Sequence, residues 1–282
     1  MLDILTFDSG KPGPTFLVLG SVHGNEKCGT HAIGRAAMEL RAGIFKLTAG
    51  KLVCVPICNP EAYRLNVRYV DANLNRVVKK HDKPVKYEEK IANELIKVID
   101  SCDVMLDLHS YTSGVRPFLF IEFDTPEEKA FAAAMHIPYW VTGWGDLYAD
   151  KKDLWQGDTC TYAFQQGKLP LLIECGTHED PAAAHVGYRS LRAALSHFKL
   201  TDVYEAPYAP APQISKLQSV VIKKMEGRLL KPWQHLDPVA KGTPVLEYDD
   251  GEVVTSPVDG VIIMPGPKVK IGEEWLYFGV AA

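Results

Sequence analysis

Several features are missing from this chain, and each absence closes off a class of function. No apolar run in its 282 residues approaches the ~20 residues of a membrane-spanning helix. Basic residues do not dominate: 31 Lys and Arg stand against 35 Asp and Glu, and the net charge is -4. The isoelectric point near 6.1 gives no electrostatic footprint for nucleic acid. The opening residues, Met1-Leu2-Asp3-Ile4-Leu5-Thr6, have no basic stretch and are acidic at Asp3, with Asp8 close behind, so no signal peptide is expected. None of the six cysteines forms a Cys-x-x-Cys pair. Cys54, Cys58, Cys102 and Cys175 lie in or beside apolar runs, which leads us to expect reduced, buried thiols in a cytoplasmic protein. There is no internal repeat and no low-complexity segment.

What remains is ordinary in amount and informative in order. Hydrophobic residues make up 46% and charged residues 23%, as in a soluble globular protein. Residues 1–205 alternate short β-rich runs with helical patterns. Strands are expected at Thr15–Gly20, Leu52–Ile57, Val104–Leu108, Phe118–Phe123 and Leu169–Cys175. Helices are expected at Cys28–Arg41, at Tyr87–Ile99, from Pro126, and at Pro181–Phe198, the last with Asp180 as N-cap. This alternation predicts an α/β fold with a mixed or largely parallel sheet flanked by helices. Three prolines in Ala206–Pro212 read as a stiff linker. Beyond it, residues 213–282 show only short β runs, as in a small sandwich or barrel lobe.

The polar residues that interrupt or end the apolar runs carry the chemistry. Gly20-Ser21-Val22-His23-Gly24-Asn25-Glu26 sets an imidazole and a carboxylate three residues apart in a glycine-flanked loop. His109 ends the run that includes Asp107-Leu108. Two His and one Glu leave the fourth position on Zn²⁺ open for water, as a hydrolytic site requires. Asp107 alternates with His109 on a strand, so the two share a face. It either orients a ligand or is satisfied by backbone amides. Glu174 ends the run Leu171-Leu172-Ile173, where a carboxylate is costly unless paired or functional, and it is the candidate general base. The stretch from Asn59 to Arg76 carries Arg64, Arg68 and Arg76 without helical periodicity. Arg68 is a candidate oxyanion donor, and Asn75 with Arg76 a candidate clamp for a substrate carboxylate. Trp140, Trp144, Trp155 and Tyr148 either line an acyl pocket or pack the core. His178, Glu179 and His185 read as loop and helix surface.

Taken together, these segments resemble the succinylglutamate desuccinylase/aspartoacylase family. His23-Gly24-Asn25-Glu26, Asn59-Pro60, Arg68-Tyr69, Leu74-Asn75-Arg76, Asp107-Leu108-His109 and Ile173-Glu174 occur in the order of that family's motifs. The resemblance implies a zinc-carboxypeptidase-like fold and one Zn²⁺ per chain on His23, Glu26 and His109. It also implies hydrolysis of the amide of a small N-acyl amino acid or related compound, with Glu174 catalytic. A carboxypeptidase or peptide amidase on the same fold is the second reading, and a non-catalytic zinc-binding or carrier protein the third. For a carrier, Lys223-Lys224-Met225 is the only lysine pair beside a methionine, and it reads as a strand. Two departures stand out. Asn73 replaces the usual Asp, and Phe164 stands where aspartoacylases place an arginine for the aspartate side chain. Arg116 is a candidate substitute for that arginine. No interface pattern is legible, so a homo-oligomer is neither required nor excluded.

Overall fold

A computed structural model describes residues 2–149, 157–205 and 210–282. In chain order its strands are β1 (Leu5–Asp8), β2 (Thr15–Gly20), β3 (Lys51–Val55), β4 (Val104–Tyr111), β5 (Phe118–Ile121), β6 (Tyr139–Thr142) and β7 (Leu169–Thr177). They continue with β8 (Gln213–Ile222), β9 (Gly227–Leu229), β10 (Pro238–Val239), β11 (Pro244–Tyr248), β12 (Val253–Thr255), β13 (Gly260–Ile263) and β14 (Glu274–Ala281).

The central strands have the sequences that a doubly covered parallel sheet demands. Phe16, Leu17, Val18 and Leu19 of β2 are fully buried on both faces. β2 runs parallel to β3 on one side and to β4 on the other, and β4 runs parallel to β7. Helices Cys28–Arg41 and Pro181–His197 cover one face and Tyr87–Asp100 the other. The first of these buries Cys28, Ala32, Ile33, Ala36 and Ala37, a stripe at helical spacing. It meets Pro181–His197 closely: a Cβ on Gly187 would lie 3.2 Å from Ala32 Cβ. Asp180 caps the later helix as expected, Oδ1 accepting from Ala182 N at 2.8 Å. No helix among the described residues is long and apolar enough to cross a membrane.

The C-terminal strands do more than form a lobe. β8 pairs in parallel with β6, so the large sheet continues through them in the order β1-β3-β2-β4-β7-β5-β6-β8-β14-β13-β10. A small antiparallel sheet, β12-β11-β9, packs against this extension through Trp233, Leu246, Trp275 and Phe278. The expected linker falls partly outside the described residues, at 206–209; Pro210–Pro212 lead straight into β8. Two local expectations are corrected. Pro60–Leu65 is a short helix, opened by its N-terminal proline and too brief to show periodicity. Lys223-Lys224-Met225 is the turn between β8 and β9, not a strand. Lys223 is buried there, its Nζ donating to Glu226 at 2.6 Å and to the Val269 carbonyl at 3.1 Å.

Candidate metal centre and catalytic site

The parallel register brings the ends of β2, β4 and β7 together: Gly20 lies beside Leu108, and His109 beside Glu174. Beyond β2 the chain turns sharply at Ser21, a non-glycine residue at φ 47°. This strained conformation is held by Ser21 Oγ, which donates to the Glu26 carbonyl at 2.8 Å. The loop then presses against helix Pro60–Leu65. A Cβ on Gly24 would come within 2.1 Å of the Ala62 carbonyl carbon, so no other residue fits.

This turn delivers His23 and Glu26 to His109. Glu26 Oε1 lies 2.8 Å from His23 Nδ1, and Oε2 lies 2.9 Å from His109 Nδ1. The outward nitrogens are held as well. His23 Nε2 is 3.0 Å from Asn73 Oδ1, and His109 Nε2 is 3.0 Å from Asp107 Oδ2. Asp107 therefore orients His109, and Thr159 Oγ1 donates to it in turn. Asn73 is held by the loop before it, where Glu88 accepts from the backbone of Val70, Asp71 and Ala72. The acceptor on His23 Nε2 favours the tautomer whose Nδ1 carries a lone pair, while His109 Nε2 meets Asp107 as a close charge contact without a hydrogen bond. His23 Nδ1 is buried with no hydrogen-bond partner, and the three ligand atoms lie within 4.8 Å of one another. Two imidazole nitrogens and a carboxylate so disposed fit a zinc ion with an open position. Burial, aided by the charge of Arg68, pushes His23 down to about 4. Burial opposes charge on His109 too, but the Asp107 and Glu26 carboxylates outweigh it and raise this group.

Glu174 faces the same cavity of about 400 Å³. Burial, then the charge of Glu26, pushes it up to about 8, and its Oε2 has no partner. Burial and the like charge of Glu26 thus make it a stronger base than an exposed carboxylate. Arg68 Nη1 donates to Glu26 Oε1 at 2.9 Å at the cavity edge. His178 is corrected from surface to site: it lines the cavity, and its Nδ1 lies 2.8 Å from Ser110 Oγ. The overrun of β7 to Thr177 carries it there, past the point where the apolar run stops.

Asn75 and Arg76 line the cavity, each already engaged. Asn75 Oδ1 accepts from Thr159 N at 3.0 Å. Arg76 donates to the Asn75 carbonyl at 2.8 Å and to Glu274 Oε1 at 3.0 Å. Glu274 belongs to β14, so the C-terminal strands build a wall of the cavity within their own chain. Arg116 does not join the group; it is exposed, with its guanidinium 5.7 Å from the Tyr139 ring centre. Of the aromatics, Trp144 lines the cavity, Trp140 is buried in the core, and Tyr148 packs against Trp144 and Tyr277. Trp155 lies outside the described residues. Glu122, Asp158 and Glu274 also line the cavity and were missed. Glu122 carried a usable signal, since, like Glu174, it directly follows an apolar strand, Phe118–Ile121.

Residues 12–187 match the family model of the succinylglutamate desuccinylase/aspartoacylase catalytic domain. The chain belongs to this family. A probable aspartoacylase of Prochlorococcus marinus subsp. pastoris is 28% identical over 166 residues, 57% of this chain and 52% of that one. The aspartoacylase of Rattus norvegicus is 31% identical over 128 residues, covering 40% and 39%. The chain thus spans about half or less of the length of these curated relatives. In fold it is similar along almost its whole length to the ectoine utilization protein EutE (DoeB) of Ruegeria pomeroyi. The TM-score is 0.81 at 22% identity, over 99% of this chain and 89% of that one. A succinylglutamate desuccinylase of Silicibacter sp. TM1040 superposes with a TM-score of 0.78 at 24% identity, over 100% and 89%.

Both departures within the family have a visible structural outcome. Asn73 supplies through Oδ1 the acceptor that faces His23. Phe164 stacks on Phe123 with ring centres 4.0 Å apart, away from the cavity lining, and Lys168 nearby donates to the Asp100 carbonyl. No cation stands in for the missing arginine at this place among the described residues.

Proposed function

We propose that this chain is a zinc-dependent amidohydrolase that removes the acyl group from a small N-acyl amino acid or related N-acyl compound, on a carboxypeptidase-like frame. The observation that carries the proposal is the register pairing of His109 with Glu174. It sets a buried carboxylate without a full set of partners beside two imidazoles and a second carboxylate suited to one metal ion. Zinc bound by His23, Glu26 and His109 would polarise the scissile carbonyl and lower the pKa of its water toward 7.

The protein's own groups do the rest. Glu174 accepts the water proton as attack begins and returns it to the departing amine, its basicity raised by burial and by the charge of Glu26. Arg68 offers its guanidinium to the developing oxyanion, and Asn75 and Arg76 offer donors to the carboxylate of the amino acid. Arg76 does so with only the face that Glu274 leaves free.

The test is amine release from a panel of N-acetyl, N-formyl and N-succinyl amino acids and free dipeptides, using zinc-loaded protein beside Glu174→Gln. Cleavage of one N-acyl class, lost in the variant, is the expected result. Cleavage of dipeptides alone would replace this reading with the peptidase one. Zinc binding without any turnover would leave a non-catalytic binding protein.

A further inference from the structure

One buried carboxylate stands off the cavity lining and yet reaches the segments that build it. Glu88 lies in the first turn of the helix Tyr87–Asp100 and is fully buried. Four N–H groups converge on it. Oε1 accepts from Val70 N at 2.7 Å and from Asn59 Nδ2 at 3.2 Å. Oε2 accepts from Asp71 N and Ala72 N, each at 3.0 Å. A carboxylate offers about four acceptor sites, so these donors fill it. The free N–H groups and dipole of a helix N-terminus favour a negative charge at this position. Ile91, Ala92, Leu95 and Ile99 bury the same helix against the sheet, so its first turn is a fixed point.

The three backbone donors belong to one short stretch between Arg68 and Asn73. Ala72 immediately precedes Asn73, whose Oδ1 faces His23 Nε2 at 3.0 Å. The grip is mutual, since Asp71 Oδ2 accepts from Tyr87 N at 2.8 Å, at the start of the same helix. The fourth donor leads to the metal ligands. Asn59 N donates to the Ser21 carbonyl at 3.0 Å, in the strained turn before His23. Asn59 precedes the helix Pro60–Leu65, but its side chain makes no cap bond there and turns to Glu88 instead. The two branches meet again where Gly24 N donates to the Arg68 carbonyl at 3.1 Å. Arg68, Asn73 and the turn that carries His23 and Glu26 thus share one support. Asn75 and Arg76 have supports of their own in Thr159 and Glu274.

We propose that Glu88 is a positioning residue: it fixes Arg68 and Asn73 against the turn that carries His23 and Glu26, and so sets both metal affinity and the placement of the oxyanion donor. The part that concerns the oxyanion rests on the deacylase reading above, and the part that concerns the metal does not. Glutamine cannot take over the role. Its single side-chain oxygen accepts about two bonds, and its NH2 group would point donors at donors.

The test uses Glu88→Gln, with Asn59→Ala as a milder variant that cuts only the tie toward Ser21. Zinc affinity, read by chelator competition, needs no substrate. It should fall ~10–100-fold in Glu88→Gln, as when a group that orients a metal ligand is lost, and by less in Asn59→Ala. Kinetics at saturating zinc, on an N-acyl amino acid that the parent cleaves, give the second readout. There kcat should fall at least ~10-fold while KM stays within ~3-fold, because Arg68 acts on the transition state and the clamp of Asn75 and Arg76 keeps its supports. A residue that only stabilises the fold would lower Tm and leave zinc affinity and kcat as in the parent, and that result would overturn the proposal. If Glu88→Gln does not fold, Asn59→Ala decides, and zinc affinity equal to that of the parent overturns it. If the parent cleaves no N-acyl compound, the deacylase reading fails while the zinc measurement still decides the role of Glu88.

Discussion

The two ends of the cavity are both rich in buried charge, yet they are built on opposite plans. At the metal end each carboxylate oxygen of Glu26 faces an imidazole, and each imidazole is backed by a further acceptor, Asn73 or Asp107. At the far end Glu122 and Asp158 each keep a buried oxygen with no partner. Neither group is closed: His23 Nδ1, His109 Nε2, Asp107 Oδ1 and Glu174 Oε2 also lack hydrogen-bond partners. The difference lies in the charges that face each other. Around Glu26 carboxylates meet imidazoles, so opposite charges can offset burial, whereas Glu122 has carboxylates as its main charged neighbours and only Arg76 to offset them.

The strongest way to break this comparison is to remove one of the imidazoles that face Glu26. His109→Ala removes one ligand nitrogen and leaves Glu26 and Asp107 facing an empty space. Metal content, measured by atomic emission after dialysis, should fall close to zero, and the proposed deacylase activity should drop by at least ~10³-fold. Stoichiometric zinc in this variant would mean that the His-Glu-His group is not the metal site. Next in size is Glu174→Gln, which keeps the shape but not the proton acceptor. We expect kcat to fall by ~10²–10⁴-fold with metal content unchanged. Turnover near that of the parent would remove Glu174 from the role of base.

A smaller effect probes the outer layer. Asn73→Ala deletes the acceptor behind His23 and should weaken zinc binding by ~10–100-fold in a chelator competition, while Asn73→Asp should retain it. Equal affinity in all three proteins would show that the tautomer of His23 is set elsewhere.

How much of this was legible depends on whether a residue's surroundings are local. His23, Glu26, His109 and Glu174 stand at the ends of apolar runs, and strand ends in an α/β sheet converge on one edge, so their meeting followed from the pattern. The helix Cys28–Arg41 and the strand Thr15–Gly20 were readable to the residue because apolar spacing alone determines them. Other features depend on partners distant in the chain. β6 is only four residues long, and its pairing with β8 joins segments some seventy positions apart, which no periodicity records. Glu274 is 198 positions from its partner Arg76. Asp158, in Gly157-Asp158-Thr159, looks like a plain helix cap, which it also is. His178 was misplaced because β7 remains a strand after its apolar residues end.

The smallest expected effect sharpens the comparison from the far end, and its sign depends on pH. Glu122 is raised above the ordinary carboxyl range, by burial first and then by the charge of Asp158. In the unfolded chain such a carboxyl releases its proton at about pH 4.3. Between that pH and the higher folded value, the native chain holds a proton that the unfolded chain has already lost. This proton favours folding at low pH, and the advantage fades as pH rises through the folded value. Glutamine has no proton to lose. The Glu122→Gln chain should therefore match the parent near pH 4 and gain on it steadily toward pH 8. The gain there should be on the order of 0.5–2 kcal/mol, the usual range for a single stabilising substitution. Thermal unfolding of metal-free protein, followed by circular dichroism across this range, reads the difference in Tm without any catalysis. The metal end predicts the opposite: Asp107→Asn, which weakens a carboxylate already paired with His109 and Thr159, should lower Tm at neutral pH. Should Glu122→Gln instead be less stable than the parent at every pH, Glu122 would have a stabilising partner, and the two ends of the cavity would be built alike.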